Sequence, residues 1–170
     1  TVYDYGGVEP DLKGEMENYN TVLLALIEKR IIFNYANEFK NSHKSIAPAG
    51  EFQFTDDMYE EFLAYVRQQD IQYETFTEKE VKLLEEAAKD DKMDKAVEKE
   101  IDALRKAIEK EKAGDFQKYR KEISEMLCLE IVSRYYYLSG ESEAALKIDP
   151  YIQKVHVLFD KDGLPIYHSR

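Results

Sequence analysis

Tryptophan is absent from the 170-residue chain, cysteine occurs once and histidine three times. The lone Cys128 cannot close an internal disulfide, and its apolar helical surroundings mark it as a buried, inert thiol rather than a nucleophile. His43, His156 and His168 show no metal-ligand spacing and have no cysteine partners, so neither a metal site nor a cofactor is expected. Positive charge is also scarce: 24 Lys and Arg stand against 35 Asp and Glu, a net charge of −11. Phosphate backbones demand a basic surface, which excludes a nucleic-acid module. Docking on anionic lipid through charge is excluded for the same reason. The longest clean apolar run, Val22 to Ile27, is far short of the roughly 20 residues that span a bilayer. No signal peptide and no initiator Met precede Thr1-Val2-Tyr3-Asp4, so the chain reads as a processed piece or an expressed fragment.

Catalytic signatures are missing too. The chain contains no G-x-S-x-G, no P-loop and no H-E-x-x-H. Asp160-Lys161-Asp162-Gly163 lacks the further acids and closing Glu of a calcium loop and reads as a simple turn. The carboxylates read as a solvated acidic surface, and the serines as helix caps and loop residues. Taken alone, the chain does not look like an enzyme.

What is present is helix-forming sequence. The composition, 44% hydrophobic with 13 Tyr and 8 Phe, is that of a globular protein. The length fits one domain, or one domain plus the stub of another. Thr1-Val2-Tyr3 has strand composition, and Gly6-Gly7 breaks it. Val8-Glu9-Pro10-Asp11 then reads as extended chain before a proline. From about Asn18 the helical period takes over. Val22, Leu23, Leu26, Ile27, Ile31, Tyr35 and Phe39 recur at three- and four-residue steps, predicting one helix that fades at Asn41-Ser42. Glu51 to Phe54 reads as a short extended piece. Thr55-Asp56-Asp57 signals a helix start. Thr77-Glu78-Lys79-Glu80 has the form of a capping box, with Phe76 and Val81 placed for a hydrophobic staple. Met93, Val97, Ile101, Leu104 and Ile108 share one face of the next helix, which Gly114 ends. Phe116, Tyr119, Ile123, Met126, Leu127 and Ile131 form a further stripe running to Gly140. A last helix is expected from Ser142 or from Asp149-Pro150.

Charge is unevenly distributed. Residues 78–122 carry 14 acids and 13 bases, net −1, whereas residues 1–77 carry 14 acids and 6 bases, net −8. Glu78/Lys82, Glu85/Lys89, Asp91/Lys95 and Asp102/Lys106 stand at i,i+4, the pattern of exposed helix surface. The stretch reads as a protruding helical hairpin; a coiled-coil dimer would need a longer heptad run. Arg134-Tyr135-Tyr136-Tyr137 is the most unusual tetrapeptide. Its tyrosines point three ways on a helix, with at least one ring buried, and Arg134 is placed to stack on a ring or pair with an acid. Two readings of it stand side by side: a helix-packing knot and a partner-binding surface.

Three stretches together resemble one family. Thr1-Val2-Tyr3-Asp4-Tyr5-Gly6-Gly7-Val8-Glu9-Pro10-Asp11 resembles the V-Y-D-G-G-G-I-x-P-D segment of the carboxyl-terminal processing, or tail-specific, proteases. Ile46-Ala47-Pro48, Phe54-Thr55-Asp56 and Tyr59-Glu60-Glu61-Phe62 are similar to the helical C-terminal extension of the bacterial envelope members. Glu130-Ile131-Val132-Ser133-Arg134-Tyr135-Tyr136-Tyr137, with Gly140 and Ala144-Ala145-Leu146, matches that extension's closing helices. The resemblance implies a parent serine peptidase with a Ser nucleophile, a neutral Lys as general base, and a PDZ domain that grips substrate C-termini. The S-A-S-type and T-x-G-K-type stretches that carry nucleophile and base are not in this sequence, so no catalytic residue is carried over; the resemblance places them upstream of Thr1.

The expected fold is therefore mainly α: a multi-helix, bundle-like accessory domain with a short extended N-terminal segment and few short strands. Residues 1–14 are expected to end the protease catalytic core, with Gly6, Gly7, Pro10 and Asp11 as its structural motif, and residues 15–170 to form the helical accessory domain. The expected role is non-catalytic: support of the core, substrate positioning or oligomer contacts. Partners are then the catalytic and PDZ domains of the same parent chain and protein or peptide substrates, with no nucleic acid and no transmembrane span. The resemblance alone implies a periplasmic or cell-envelope address. The alternative is a stand-alone helical interaction module unrelated to proteolysis.

Overall fold

The structure, a computed structural model, describes residues 20–69 and 71–153. The strand-like Thr1–Tyr3 segment and the Gly6, Gly7, Pro10 and Asp11 motif lie outside the described residues. Residues 20–149 belong to one compact helical unit. Its elements are α1 (Thr21–Glu28), α2 (Ile31–Ser42), α3 (Asp56–Arg67), α4 (Phe76–Asp90), α5 (Asp94–Lys112), α6 (Asp115–Lys118) and α7 (Arg120–Ile148). Residues 150–153 are helical, with Pro150 opening that segment.

The single helix expected from about Asn18 to Ser42 is instead two. Asn20 caps α1, its Oδ1 accepting from the Leu23 amide at 2.9 Å. The chain then turns at Arg30, whose φ of 57° is left-handed. A straight helix advances about 100° per residue, so a repeated four-residue step drifts by about 40° each time. The α1 face of Val22, Leu23 and Leu26 and the α2 face of Ile32, Tyr35 and Phe39 would point to opposite sides of one straight helix. The break at Arg30 lets both faces enter the same core.

That core is built around α7. Ile123, Leu127 and Ile131 are fully buried there, against α2 and with Leu26, Tyr59 and Phe62 in the same cluster. Thr55 caps α3 as expected, accepting from the Met58 amide at 3.4 Å, with Asp56 and Asp57 in the first turn. The rings of Tyr35 and Phe62 meet edge-on at 5.1 Å. Tyr59 reaches through the core, and its hydroxyl donates to the Phe116 carbonyl at 2.5 Å. Burial pushes the Tyr59 phenol up to about 12, with the nearby Arg120 opposing part of the shift. No strand occurs among the described residues; the extended piece expected at Glu51 to Phe54 is a turn followed by irregular chain.

The charged stretch does form a hairpin. α4 and α5 pack chiefly on each other, and Lys92, with φ 57°, turns the chain between them. The capping box sits two residues earlier than expected. Thr75 is the cap: the Glu78 amide donates to Thr75 Oγ1 at 3.1 Å, and the Thr75 amide donates to Glu78 Oε2 at 2.6 Å. Both T-x-x-E registers exist in the sequence. Only the Thr75 register points Glu78 at Lys112 of α5, whose Nζ lies 2.9 Å from both carboxylate oxygens. Phe76 is thereby the first helical residue, 64% exposed, and staples nothing. Of the pairs expected along the helices, Glu85–Lys89 forms at 3.4 Å. Lys82 instead pairs with Glu74, and Glu85 also meets Arg105 across the hairpin.

Two outcomes follow from this packing. Phe62→Ala removes a fully buried ring and is expected to cost about 3–5 kcal/mol, read as a lower urea midpoint at unchanged slope. Glu78 has the second signature. Burial alone would raise its pKa, but the hydrogen bonds from Thr75 and Lys112 and the Lys112 charge hold it below the ordinary carboxylate value. A group lowered on folding stabilises the fold above its unfolded pKa and loses that contribution as pH falls through the folded one. Glu78→Gln is thus expected to flatten the acid limb of a melting-temperature-against-pH curve; an unchanged limb contradicts the assignment.

Candidate functional site

The Arg134–Tyr137 segment sits where α7 bends. Arg134 is held from four sides. Its Nε donates to Asn37 Oδ1 at 2.7 Å, one terminal nitrogen to Glu130 Oε1 at 2.6 Å and the other to Ser133 Oγ at 3.0 Å. The guanidinium also lies 4.5 Å from the Phe33 ring centre, a cation–π contact. Tyr135 donates to the His43 carbonyl at 2.6 Å and carries the Lys40 ammonium 3.4 Å over its ring. Burial raises its phenol pKa. Tyr136 donates to the Ala47 carbonyl at 3.1 Å and contacts that of Ile46 at 3.2 Å. These three residues sew α7 to α2 and to the loop that follows it.

Tyr137 does the opposite. Its φ of 57° and ψ of −158° are non-helical and fall in a region essentially confined to glycine, at a cost of about 1–3 kcal/mol. The bend turns Tyr137 and Leu138 outward, leaving them 79% and 75% exposed. Beyond it, residues 138–148 close on the loop at Ala49-Gly50. A Cβ on Gly140 would meet Tyr136 Cβ at 2.2 Å and Ala49 Cβ at 3.2 Å. A Cβ on Gly50 would meet the Glu143 carboxylate at 2.5 Å. The two small residues let loop and helix touch, and Ala49, Cys128, Val132 and Ala144 form a second buried cluster beneath them. The result is a strained ridge, Tyr137-Leu138, standing on a firmly bonded base. The tetrapeptide marked the segment; its exposed partner Leu138 and the bend itself left no sequence signal beyond Gly140 following Tyr136 by four.

A shallow cleft of about 310 Å³ lies beside this region, lined by Phe52, Phe54, Glu125, Cys128 and Lys147 among others. The Cys128 thiol is buried and faces the Phe52 carbonyl at 3.8 Å. Burial pushes its pKa up, Glu125 adds to this, and a hydrogen bond with the Phe54 backbone offsets part of it. That is an inert thiol, not a nucleophile. Among the described residues no group of three or more His, Cys, Asp and Glu side chains is disposed to hold a metal ion. No described helix is long and apolar enough to cross a membrane.

The ridge and its base separate under mutation. Tyr137→Gly is expected to be neutral or stabilising by up to about 1 kcal/mol, because glycine occupies this backbone region freely. Gly140→Ala is expected to cost about 1–3 kcal/mol by overpacking. Chemical denaturation of both variants checks the bend; a Gly140→Ala chain as stable as the parent contradicts it.

The model of the probable PDZ-protease C-terminal helical domain matches residues 22–158. No curated protein and no solved structure gives a significant match. The matched span runs from the second residue of α1 through the end of α7, the hairpin and the bend included. The chain belongs to the family of C-terminal helical domains of probable PDZ-proteases.

Proposed function

We propose that this chain is the non-catalytic accessory domain of a tail-specific serine peptidase of the cell envelope, and that the Tyr137-Leu138 ridge seats against its catalytic core. The observation that carries the reading is the family match over residues 22–158, with the Val2-Tyr3-Asp4…Gly6-Gly7…Pro10-Asp11 segment ahead of it in the chain. In this reading residues 1–14 close the catalytic core and Gly6, Gly7 and Pro10 set the tight path out of it. The helical domain begins near residue 15. The parent supplies a Ser nucleophile and a Lys base upstream of Thr1, a PDZ domain, and the peptide or protein substrate. The ridge supports the assignment of the contact face: two large apolar side chains are held in solvent at a backbone cost, and covering them recovers about 1.5–3 kcal/mol per side chain.

The test is made on the parent protein. The coding sequence upstream of Thr1 is expected to contain S-A-S-type and T-x-G-K-type stretches, and replacing that serine or lysine by alanine is expected to abolish cleavage of a peptide substrate. Leu138→Glu in the same protein is expected to lower kcat/KM about tenfold, or about 1.4 kcal/mol of transition-state stabilisation. Circular dichroism is expected to stay unchanged. A start codon immediately before Thr1 overturns the protease reading and leaves a stand-alone helical interaction module. Full activity of the Leu138→Glu protein overturns the contact face alone.

A further inference from the structure

The α4–α5 hairpin has two unlike flanks. Glu78, Lys82 and Glu85 of α4 and Arg105 and Lys112 of α5 lie on one side, joined by the Glu85–Arg105, Glu78–Lys112 and Lys82–Glu74 pairs. At about 100° per residue the opposite side collects Leu84 from α4 and Val97 and Leu104 from α5, with Met93 at the tip. Phe76 and Ala107 lie together at the root of that side, where both line one groove. Apart from the half-buried Val97, these side chains are exposed. Leu84 is 51% exposed, Met93 52% and Leu104 40%. Only Val81, Ala88 and Ile101 are buried between the two helices.

The charge on the two flanks differs as sharply as the polarity. Lysines and arginines of α4 and α5 fall on the paired flank or on the outer backs of the helices. The charged residues within the arc of Leu84 and Leu104 are acids, Glu80 and Glu100; toward the root, Glu111 and Asp115 line the groove together with Lys112 and Lys118. Neither Glu80 nor Glu100 forms an ion pair among the described residues, while the other flank is laced with them. A second copy of this chain is therefore a poor occupant: a two-fold pairing would set the same acids against each other in a chain of net charge −11.

We propose that this flank is a docking surface for a basic amphipathic helix of a protein partner. Its apolar stripe would lie along Leu84, Val97 and Leu104, and its lysines or arginines would meet Glu80 and Glu100. An exposed apolar strip along two packed helices with an acidic edge is a surface that an amphipathic helix can cover through anchors at i, i+3, i+4 and i+7. The one-sided acidic border fixes the sign of the partner and gives specificity through complementary charge. This surface is independent of the Tyr137-Leu138 ridge, so either assignment stands if the other falls.

The probe is a short fluorescein-labelled peptide of leucine and lysine in helical period, with a counterpart in which every lysine is glutamate. Anisotropy is read at about 0.15 M salt, where the Debye length of about 8 Å suppresses long-range attraction to the acidic chain. The lysine peptide is expected to bind and the glutamate peptide not to. Affinity is expected to fall about tenfold in Leu84→Glu/Leu104→Glu and again about tenfold in Glu80→Gln/Glu100→Gln, which keeps the apolar stripe. Glu98→Gln/Asp102→Gln, on the charged flank, is expected to leave it unchanged. Equal losses from both glutamine pairs, or none from either, overturn the proposal. So does a sedimentation dimer that Leu104→Glu dissolves, which makes a second copy the occupant. Loss of peptide binding in the intact parent protease overturns it too, by showing the flank covered by the parent's own domains.

Discussion

Burying one side of α7 is the constraint on which the rest of this domain depends. Ile123, Leu127 and Ile131 must all leave water, and they do so against α2, joined in one cluster by residues of α1 and α3. Two of the three positive-φ residues, Arg30 and Tyr137, sit where that requirement meets the chain's own periodicity; the third, Lys92, turns the hairpin. Arg30 adopts a left-handed conformation so that Leu26 and Ile32 can face the same core. Tyr137 adopts a stranger one, and Gly140 and Ala144 then close on the loop at Ala49-Gly50. Each departure costs of order 1–3 kcal/mol. Each buried Leu, Ile or Phe returns about 1.5–3 kcal/mol, so a handful of core residues offsets both.

The molecule uses two kinds of adhesion in two places. The body is held by apolar burial, with polar groups such as the Tyr35 and Tyr59 hydroxyls satisfied by single carbonyls. The hairpin is held at its root by a polar node. Lys112 binds Glu78 and the Tyr73 carbonyl, and the Tyr73 hydroxyl binds the buried Asp115 at 2.8 Å. Burial, together with the Asp115 hydrogen bond and charge, pushes the Tyr73 phenol well above its ordinary value, so it stays a donor. Long charged helices with three buried side chains between them could not hold a fixed pose by burial alone.

Much of this was legible in the sequence, and the gaps have physical causes. The Thr55 cap, the hairpin, the α7 stripe and the inert Cys128 follow from local patterns that no distant contact overrides. The α1–α2 break was not legible because each four-residue step looks helical; only the accumulated drift, judged against a core on one side, requires Arg30 to turn. The capping register was ambiguous because Thr75 and Thr77 each precede a glutamate by three, and Lys112, more than thirty residues away, chooses between them. Arg134 and its tyrosines announced themselves by rarity. Which of them faces outward depended on a bend that Tyr137, a residue ill-suited to its backbone angles, gives no reason to expect. The family resemblance was carried by three stretches, and two of them, residues 46–62 and 130–146, lie within the matched span, whereas Gly6, Gly7, Pro10 and Asp11 precede the match.

The polar node also makes the hairpin a lever. Its longer arm, α5, extends about 28 Å at 1.5 Å per residue, and a load at the Asp91-Lys92-Met93 tip acts on a fulcrum only a few hydrogen bonds wide. That fulcrum sits one residue from Phe116, whose carbonyl is gripped by Tyr59 from the middle of the core. Sideways force on the tip is thus delivered as torque to the start of α7, the helix whose far end carries the bend. A domain glued uniformly by apolar contact would dissipate such a force over many side chains; this one concentrates it on Tyr73 and Asp115.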